Sequence, residues 1–484
     1  METIIFFTLL ILTILASLFY FRRSMHMFQL NSYKADTHFK WFRQNWHKLY
    51  FHFKKTKAKK PLVYTHRVLR MCVTVTIIYT ALQVLIIYSG MYFLLPLLAV
   101  FIPFFPIIAN FINIPVERAN NARYIKEAVH IINSLPNLTT IGITGSYGKT
   151  STKYYLNKLL SVKYNVLMTP ESYNTTLGVV KTIRGSLNAT HDIFICEMGM
   201  KWKGDIRELC DLVRPRHSML TSIGHQHMET MGSLNNIIKE KFEIVDCIIG
   251  GTVFLNYDNE HIRERQTEKL KEKTTVTYGI TSQDADYKAN DISVSEKGTE
   301  FTITAKGETV TFTTKLLGNH TVQNITGAIA IAHTMGIELK ELVLPVKRLE
   351  PVPHRLQIIN KGNDIIIDDA FNSNPSGAKS ALEVLKTFDG VKILITPGMI
   401  ELGDQSYSLN KEFGINAAAS CDYVLLIGEK QAIPIKDGLR EAKFPEDKII
   451  TFASFNEGMA HTDYIETNGK KKIILIENDL PDNY

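Results

Sequence analysis

The sequence predicts an α/β chain in three parts: N-terminal transmembrane helices, a central parallel-sheet domain of the P-loop type, and a C-terminal doubly wound, Rossmann-like domain. Three observations predict it. Long uncharged apolar runs are confined to the first 114 residues. A glycine turn, Gly145-Ser146-Tyr147-Gly148, follows the β-like run Thr139–Thr144 and leads into Lys149-Thr150-Ser151 at the head of a helical pattern. Beyond it, apolar runs of strand length alternate with helical patterns, as in parallel sheets buried on both faces.

The composition sets the frame for these parts. A chain of 484 residues, 45% of them hydrophobic, can form two to four domains with sizeable cores. Five scattered cysteines without a CxxC pair argue against a disulfide framework and fit a reducing compartment. Charge is uneven. Between Arg22 and Arg70 stand 13 Lys/Arg and one acid, Asp36. That segment carries +12 against +7 for the whole chain, so the remainder is −5. A mildly acidic body with one basic segment excludes uniform nucleic-acid binding, and no nucleic-acid partner is expected.

The membrane region is expected over residues 1–114, with three transmembrane helices and a basic cytosolic loop. Ile4–Phe21 is uncharged over a length close to one span. Glu2 precedes it and Arg22-Arg23 follow, the reverse of a cleaved signal, so a retained anchor is expected. Met71–Gly90 and Met91–Ile114 form a second and third run, turning around Tyr88-Ser89-Gly90. Pro96, Pro103 and Pro106 interrupt the third, which membrane helices tolerate. Positive charge places the basic segment inside. Its Lys54, Lys55, Lys57, Lys59 and Lys60, interleaved with Trp41, Trp46 and Tyr50, suit an anionic lipid surface as partner. The expected location is therefore the cell membrane, multi-pass, with the rest of the chain in the cytosol.

A linker of mixed charge is expected over 115–136, a central domain over 137–350, and a C-terminal domain over 351–484. The central domain begins with the strand Thr139–Thr144, the glycine turn, and a helix over Lys149–Val162. Glycines let a backbone curl its N–H groups around phosphate, and the helix N-terminus faces the same anion. Thr144 to Ser151 would bind ATP, with Gly145, Ser146, Tyr147 and Gly148 as the cradle. Lys149 would reach the β/γ-phosphates and the Thr150 hydroxyl Mg²⁺. Ile143 stands where the strict P-loop pattern has its first glycine. Strands follow at Asn165–Met168 and Asp192–Glu197. Period-two alternation over Asp291–Thr314 predicts an inserted antiparallel sheet. In the C-terminal part a strand ending at Asp368-Asp369, a helix over Ser376–Phe388, and strands Val391–Thr396 and Tyr423–Ile427 predict a small doubly wound sheet.

Ordered motifs over about residues 137–430 carry a family resemblance. They are Thr144–Thr150 (TGSYGKT), Asn174-Thr175-Thr176-Leu177-Gly178, Glu197-Met198-Gly199, His225-Gln226-His227-Met228-Glu229, and Lys239–Ile244 (KEKFEI). Further on come Leu317-Gly318-Asn319-His320 with Asn324, Pro353-His354-Arg355, Asp368–Pro375 (DDAFNSNP) and Gly398–Gly403 (GMIELG). This set resembles the Mur ligases, ATP-dependent amide-forming enzymes of cell-wall peptide assembly, nearest the branch that adds D-alanyl-D-alanine. Folylpolyglutamate and poly-γ-glutamate synthetases are relatives.

The resemblance implies that a carboxylate acceptor is activated by ATP as an acyl phosphate and then joined to an amino acid or peptide donor. It assigns catalytic roles to Lys149, His227, Lys241 and Arg355. Thr150, Glu197, His227 and Lys241, the last if carbamoylated, would hold Mg²⁺. Asn324, Arg355 and Asp369 would meet the nucleotide, Asp369 alternatively a bridging cation. Asn174, Thr175, Thr176, Asn372 and Asn374 would face the substrates. Without the family, Lys241 lies in an ordinary charged helix, and Lys153 and Arg355 are unremarkable basic residues. His225 competes with His227, though the H-x-E pattern favours the latter.

Two features depart from the family. Membrane spans stand where its uridine-nucleotide-binding domain would be, and the terminal Ile474–Tyr484 (ILIENDLPDNY) lacks a K-G-S-type signature. The expectation is a membrane-anchored, ATP- and Mg²⁺-dependent ligase of cell-wall precursors. The alternatives are a poly-γ-glutamate-synthetase-like ligase and a silent ATP-binding membrane scaffold.

Overall fold

The computed structural model describes residues 2–51, 61–265, 268–371, 373–400, 402–429 and 432–478. Asn372, Lys54, Lys55, Lys57, Lys59, Lys60, Glu401 and the tail from Asp479 lie outside the described residues. The chain divides into two compact units between Tyr124 and Ile125.

In the first unit, three helical stretches are long and apolar enough to cross a membrane: Ile4–Leu30, His66–Tyr88 and Tyr92–Asn133. The third is broken by 3-10 turns at Tyr92–Leu94 and Ile102–Phe104, next to the prolines, whose missing N–H groups cannot continue an α-helical ladder. Helix Phe105–Asn133 then runs on through Pro115. The segment expected as a linker from residue 115 is thus helical as far as Asn133. Leu15, Leu18, Val73, Ile77, Phe111 and Ile112 on these helices are exposed. Met25, Phe28, Met71 and Phe105 pack inside. Two arginines within the bundle find polar partners. Arg70 grips Glu117 with two bonds of 2.7 and 2.8 Å, and Arg67 donates to Asn110 at 2.8 Å while lying 4.0 Å over the Tyr33 ring.

The second unit holds two sheets. The first contains β1 (Thr139–Thr144), β2 (Val166–Met168), β3 (Ile193–Glu197), β4 (His217–Leu220), β5 (Thr252–Asn256), β6 (Thr274–Gly279), β7 (Tyr287–Ser295), β8 (Gly298–Ala305) and β9 (Glu308–Thr314). Their order is β2-β3-β1-β4-β5-β6-β7-β8-β9. Pairing is parallel from β2 to β7 and antiparallel over β7-β8-β9. The antiparallel meander is therefore the continuation of the central sheet, not a separate insert. Two parallel bonded positions, Tyr278 with Tyr287 and Gly279 with Lys288, join it on. β1 stands where the winding changes side, the position at which loops beyond strand ends open a crevice.

The second sheet contains β10 (Gln357–Lys361), β11 (Asp364–Asp369), β12 (Val391–Thr396), β13 (Tyr423–Ile427), β14 (Ile449–Phe452) and β15 (Lys472–Glu477), in the order β10-β11-β15-β12-β13-β14. Alternate residues feed two cores: Ile367 and Leu394 pack on one face, Ile366 and Ile393 on the other. This is a sheet covered on both sides, as the doubly wound pattern requires. The last strand inserts between β11 and β12, a neighbour relation invisible to local periodicity. All five cysteines are free thiols.

Candidate active site

The loop after β1 is built on close approaches. A Cβ on Gly145 would lie 2.0 Å from Thr221 Oγ1, and one on Gly148 would lie 2.5 Å from Asn324 Oδ1. Gly148 also takes a left-handed φ of 82° at the N-cap of helix Lys149–Leu160. Asn324, expected at the nucleotide, thus packs directly on the loop. Ser146 N donates to Ser222 O at 2.7 Å and Tyr147 N to Ser222 Oγ at 2.8 Å, which fixes the curl of the turn. The first-turn N–H groups of the helix lack intrahelical acceptors and remain for an anion. The Thr144 hydroxyl is spent on structure, donating to Met198 O at 2.7 Å.

Lys149 folds back, donating to Gly145 O at 2.6 Å and Ser146 O at 3.3 Å. Burial lowers its pKa to about 8; Glu197 opposes the shift and Arg355 adds to it. One turn on, Lys153 corrects the sequence reading. It is no ordinary surface lysine, being 0% exposed with its ammonium 3.0 Å from Glu197 Oε2. It also donates to the Glu171 carbonyl. Its spacing of four from Lys149 puts both on one helix face, a signal the sequence did carry.

Glu197, at the C-terminal end of β3, is the hub. Its Oε1 accepts from Thr150 Oγ1 at 3.0 Å and from Asn174 Nδ2 at 3.1 Å. Burial alone would raise its pKa, but Lys153, Lys149 and these bonds hold it below the usual value. Of the residues expected at the substrates, Asn174 reaches this hub. Thr175 caps helix Thr176–Ser186, accepting from Gly178 N, and Asn374 caps helix Pro375–Lys386, accepting from Gly377 N at 2.9 Å.

Lys241 is buried on helix Leu234–Asp246. Desolvation holds it well below the ordinary lysine range, and the charge of Lys149 pushes the same way. Its neighbour Glu240 anchors the helix that carries it. That carboxylate accepts from Gly204 N at 2.9 Å and Ile206 N at 3.0 Å, pinning the helix to the start of helix Asp205–Val213. His227 adopts a left-handed φ of 64°, a conformation retained in folded proteins mainly where surroundings enforce it.

From the C-terminal domain comes Arg355, half-buried, over the Phe371 ring at 4.6 Å. It lies in the field of Lys149, Lys153, Glu197 and Asp369. Asp369 Oδ1 accepts from Leu356 N at 3.1 Å. Its register partner across β11 and β15 is Glu477. Burial raises both carboxyls, and the charge of Asp369 pushes Glu477 further up. A narrow cleft between the two domains is lined by Tyr147, His225, Gln226, Ser373, Asn374 and Leu402. His225, passed over in the sequence, thus faces the cleft, as does Asn374.

Among the described residues no group of three or more His, Cys, Asp or Glu forms a metal cluster. The Thr150 hydroxyl and Glu197 carboxylate nevertheless supply two buried hard oxygen donors, the chemistry that suits Mg²⁺.

Residues 143–332 match the Mur ligase middle domain and residues 354–476 the Mur ligase glutamate ligase domain. The UDP-N-acetylmuramoyl-tripeptide–D-alanyl-D-alanine ligase of Bacillus subtilis is 33% identical over 313 residues, 64% of this chain and 66% of that protein. The Escherichia coli enzyme of the same name is 30% identical over 315 residues, covering 64% and 69%. The chain thus spans about two thirds of the length of these relatives. Crystal structures of MurF from Acinetobacter baumannii (TM-score 0.67, 23% identity, 74% of this chain and 77% of that one) share the fold. So does MurF from Thermotoga maritima in complex with ADP (TM-score 0.64, 24% identity, 74% and 80%).

Proposed function

The chain belongs to the Mur ligase family, and from that premise we propose that it is an ATP-dependent ligase adding D-alanyl-D-alanine to the peptide of a peptidoglycan precursor. The supporting observation is the convergence of Arg355 from one domain with Lys149 and Glu197 of the other. Amide synthesis brings a carboxylate against a phosphate, two anions that only fixed cations and dipoles can hold together. Lys149 and the helix N-terminus take the phosphates. Arg355 steadies the transferring phosphoryl group. The acceptor carboxylate takes that group from ATP, releasing ADP; the donor amine then displaces phosphate, losing its proton.

Thr150 and Glu197 would hold Mg²⁺, which supplies positive charge against the phosphate oxygens. Lys153 keeps Glu197 ionised for this role. Lys241, whose amine burial shifts toward the neutral form, would be able to take up carbon dioxide as a carbamate and supply a further oxygen ligand; His227 would complete the set.

We further infer a cell-membrane location with the +12 segment and the catalytic domains on the cytosolic side, a reading supported by three helices long and apolar enough to cross a membrane and by the charge bias. Anionic lipid then faces the basic segment, and a lipid-linked precursor becomes an acceptor alongside a nucleotide-linked one. Phosphate release by the purified full chain tests the reading. Release is expected only when ATP, a muramoyl-tripeptide acceptor on either carrier, and D-alanyl-D-alanine are all present. No release with either carrier overturns it.

A further inference from the structure

The last strand, β15, ends at Glu477, followed by Asn478, both within the segment Ile474–Tyr484. Glu477 is 1% exposed and Asn478 3%, so these polar residues are placed inside the domain rather than at a free end. Their hydrogen bonds run to two separate turns. The Ser373 hydroxyl donates to Glu477 Oε1, and Ser373 N donates to Asn478 Oδ1 at 3.4 Å. Asn478 Nδ2 donates to Gly398 O at 2.6 Å, and Asn478 N donates to Asp369 O at 3.2 Å. Ser373 stands in the turn that carries Asn374; Gly398 begins the turn that carries Ile400 and Leu402. All of these except Gly398 line the cleft opposite Tyr147 and His225. Asn478 adopts a φ of 70°, a left-handed conformation that asparagine tolerates better than most residues.

We propose that Glu477 and Asn478 are positioning residues, a clamp that holds the Ser373 and Gly398 turns together as the C-terminal lip of the reacting cleft. The clamp follows from tertiary placement. β15 lies between β11 and β12, so its end emerges between the two turns that follow those strands. Glu477 meets Asp369 in register, and its Oε1 accepts from Ser373. A glutamine in place of Glu477 keeps an oxygen to accept from Ser373 and an amide that can turn toward Asp369. An alanine can do neither. The role in turnover rests on the ligase reading above; the mechanical coupling of the two turns does not.

Two measurements on the full chain separate these. Hydrogen–deuterium exchange comes first: Asn478→Ala is expected to raise exchange in both turns together, and unchanged exchange in either overturns the clamp. Turnover with ATP, muramoyl-tripeptide and D-alanyl-D-alanine comes second. Glu477→Ala and Ser373→Ala should each lower kcat/KM about tenfold, the scale of one buried hydrogen bond. ADP affinity should stay as in the unaltered chain. The double variant should be no worse than the singles, because both remove one contact. Glu477→Gln should restore turnover to within about threefold of the unaltered chain, on the same scale. Loss without rescue by glutamine, multiplying defects, or full turnover in Ser373→Ala overturns the positioning role; the last holds even if Glu477→Ala fails to fold. An unaltered chain that shows coupled exchange but no turnover refutes the ligase reading and leaves the clamp intact.

Discussion

Lys153 and Glu197 form an ion pair of 3.0 Å in which the side chains are 0% and 1% exposed. A buried pair adds little net stability, yet breaking it is costly because the surviving charge has lost its partner. Lys153→Met should therefore destabilise the protein by about 3–5 kcal/mol. Thermal unfolding measures this, and the double change Lys153→Met with Glu197→Gln should recover part of the loss. A double variant less stable than the single would contradict the pairing.

Acid should act on the same pair. The folded-state pKa of Glu197 is depressed, so its contribution to stability is present above the ordinary glutamate pKa and is lost as pH falls through the folded value. Unfolding midpoints measured on the acid side should show this fall, and Glu197→Gln should flatten it.

Lys149 is set near pH 8 by burial. Bound phosphate stabilises its charged form, so nucleotide binding raises its pKa. Below about pH 8 free and bound protein both hold the proton, and affinity is flat in pH. Above it only the bound form does, so ADP binding takes up a proton and weakens, at most about tenfold per pH unit. Calorimetry in buffers of different ionisation enthalpy reads the proton directly. Lys149→Ala should remove both the uptake and ATP turnover while leaving the fold.

Glu197→Ala and His227→Ala should each raise the Mg²⁺ requirement. Acting on one assembly, they should combine far from additively. Multiplying rate defects in the double variant would mean that the two residues serve separate sites.

The helical hairpin gives a topological prediction. Ser89 lies in the turn after helix His66–Tyr88, on the side away from the basic segment. A cysteine placed there should react with an impermeant thiol reagent in intact cells, while a tag fused after Tyr484 should resist external protease. Cleavage of the tag from outside would reverse the orientation.

Much of this protein was legible locally. Strands β1, β12 and β13 begin and end where the apolar runs do, because strand burial on both faces writes itself into consecutive residues. The glycine turn and Lys149 were likewise evident, since a phosphate cradle is a local backbone shape. The three apolar stretches were visible from length and lack of charge alone.

What the tertiary structure decided is which distant groups meet. The order of residues put Lys153 on one helix face with Lys149, but did not indicate that it would be buried on Glu197, that Glu240 would pin its helix to helix Asp205–Val213, or that the antiparallel meander would extend the central sheet. Nor did it indicate that β15 would enter between β11 and β12 and bring Glu477 beside Asp369. Sequence periodicity records which face of an element is apolar. It does not record which element lies against that face, and the charges, bonds and protons of this site depend on that second fact.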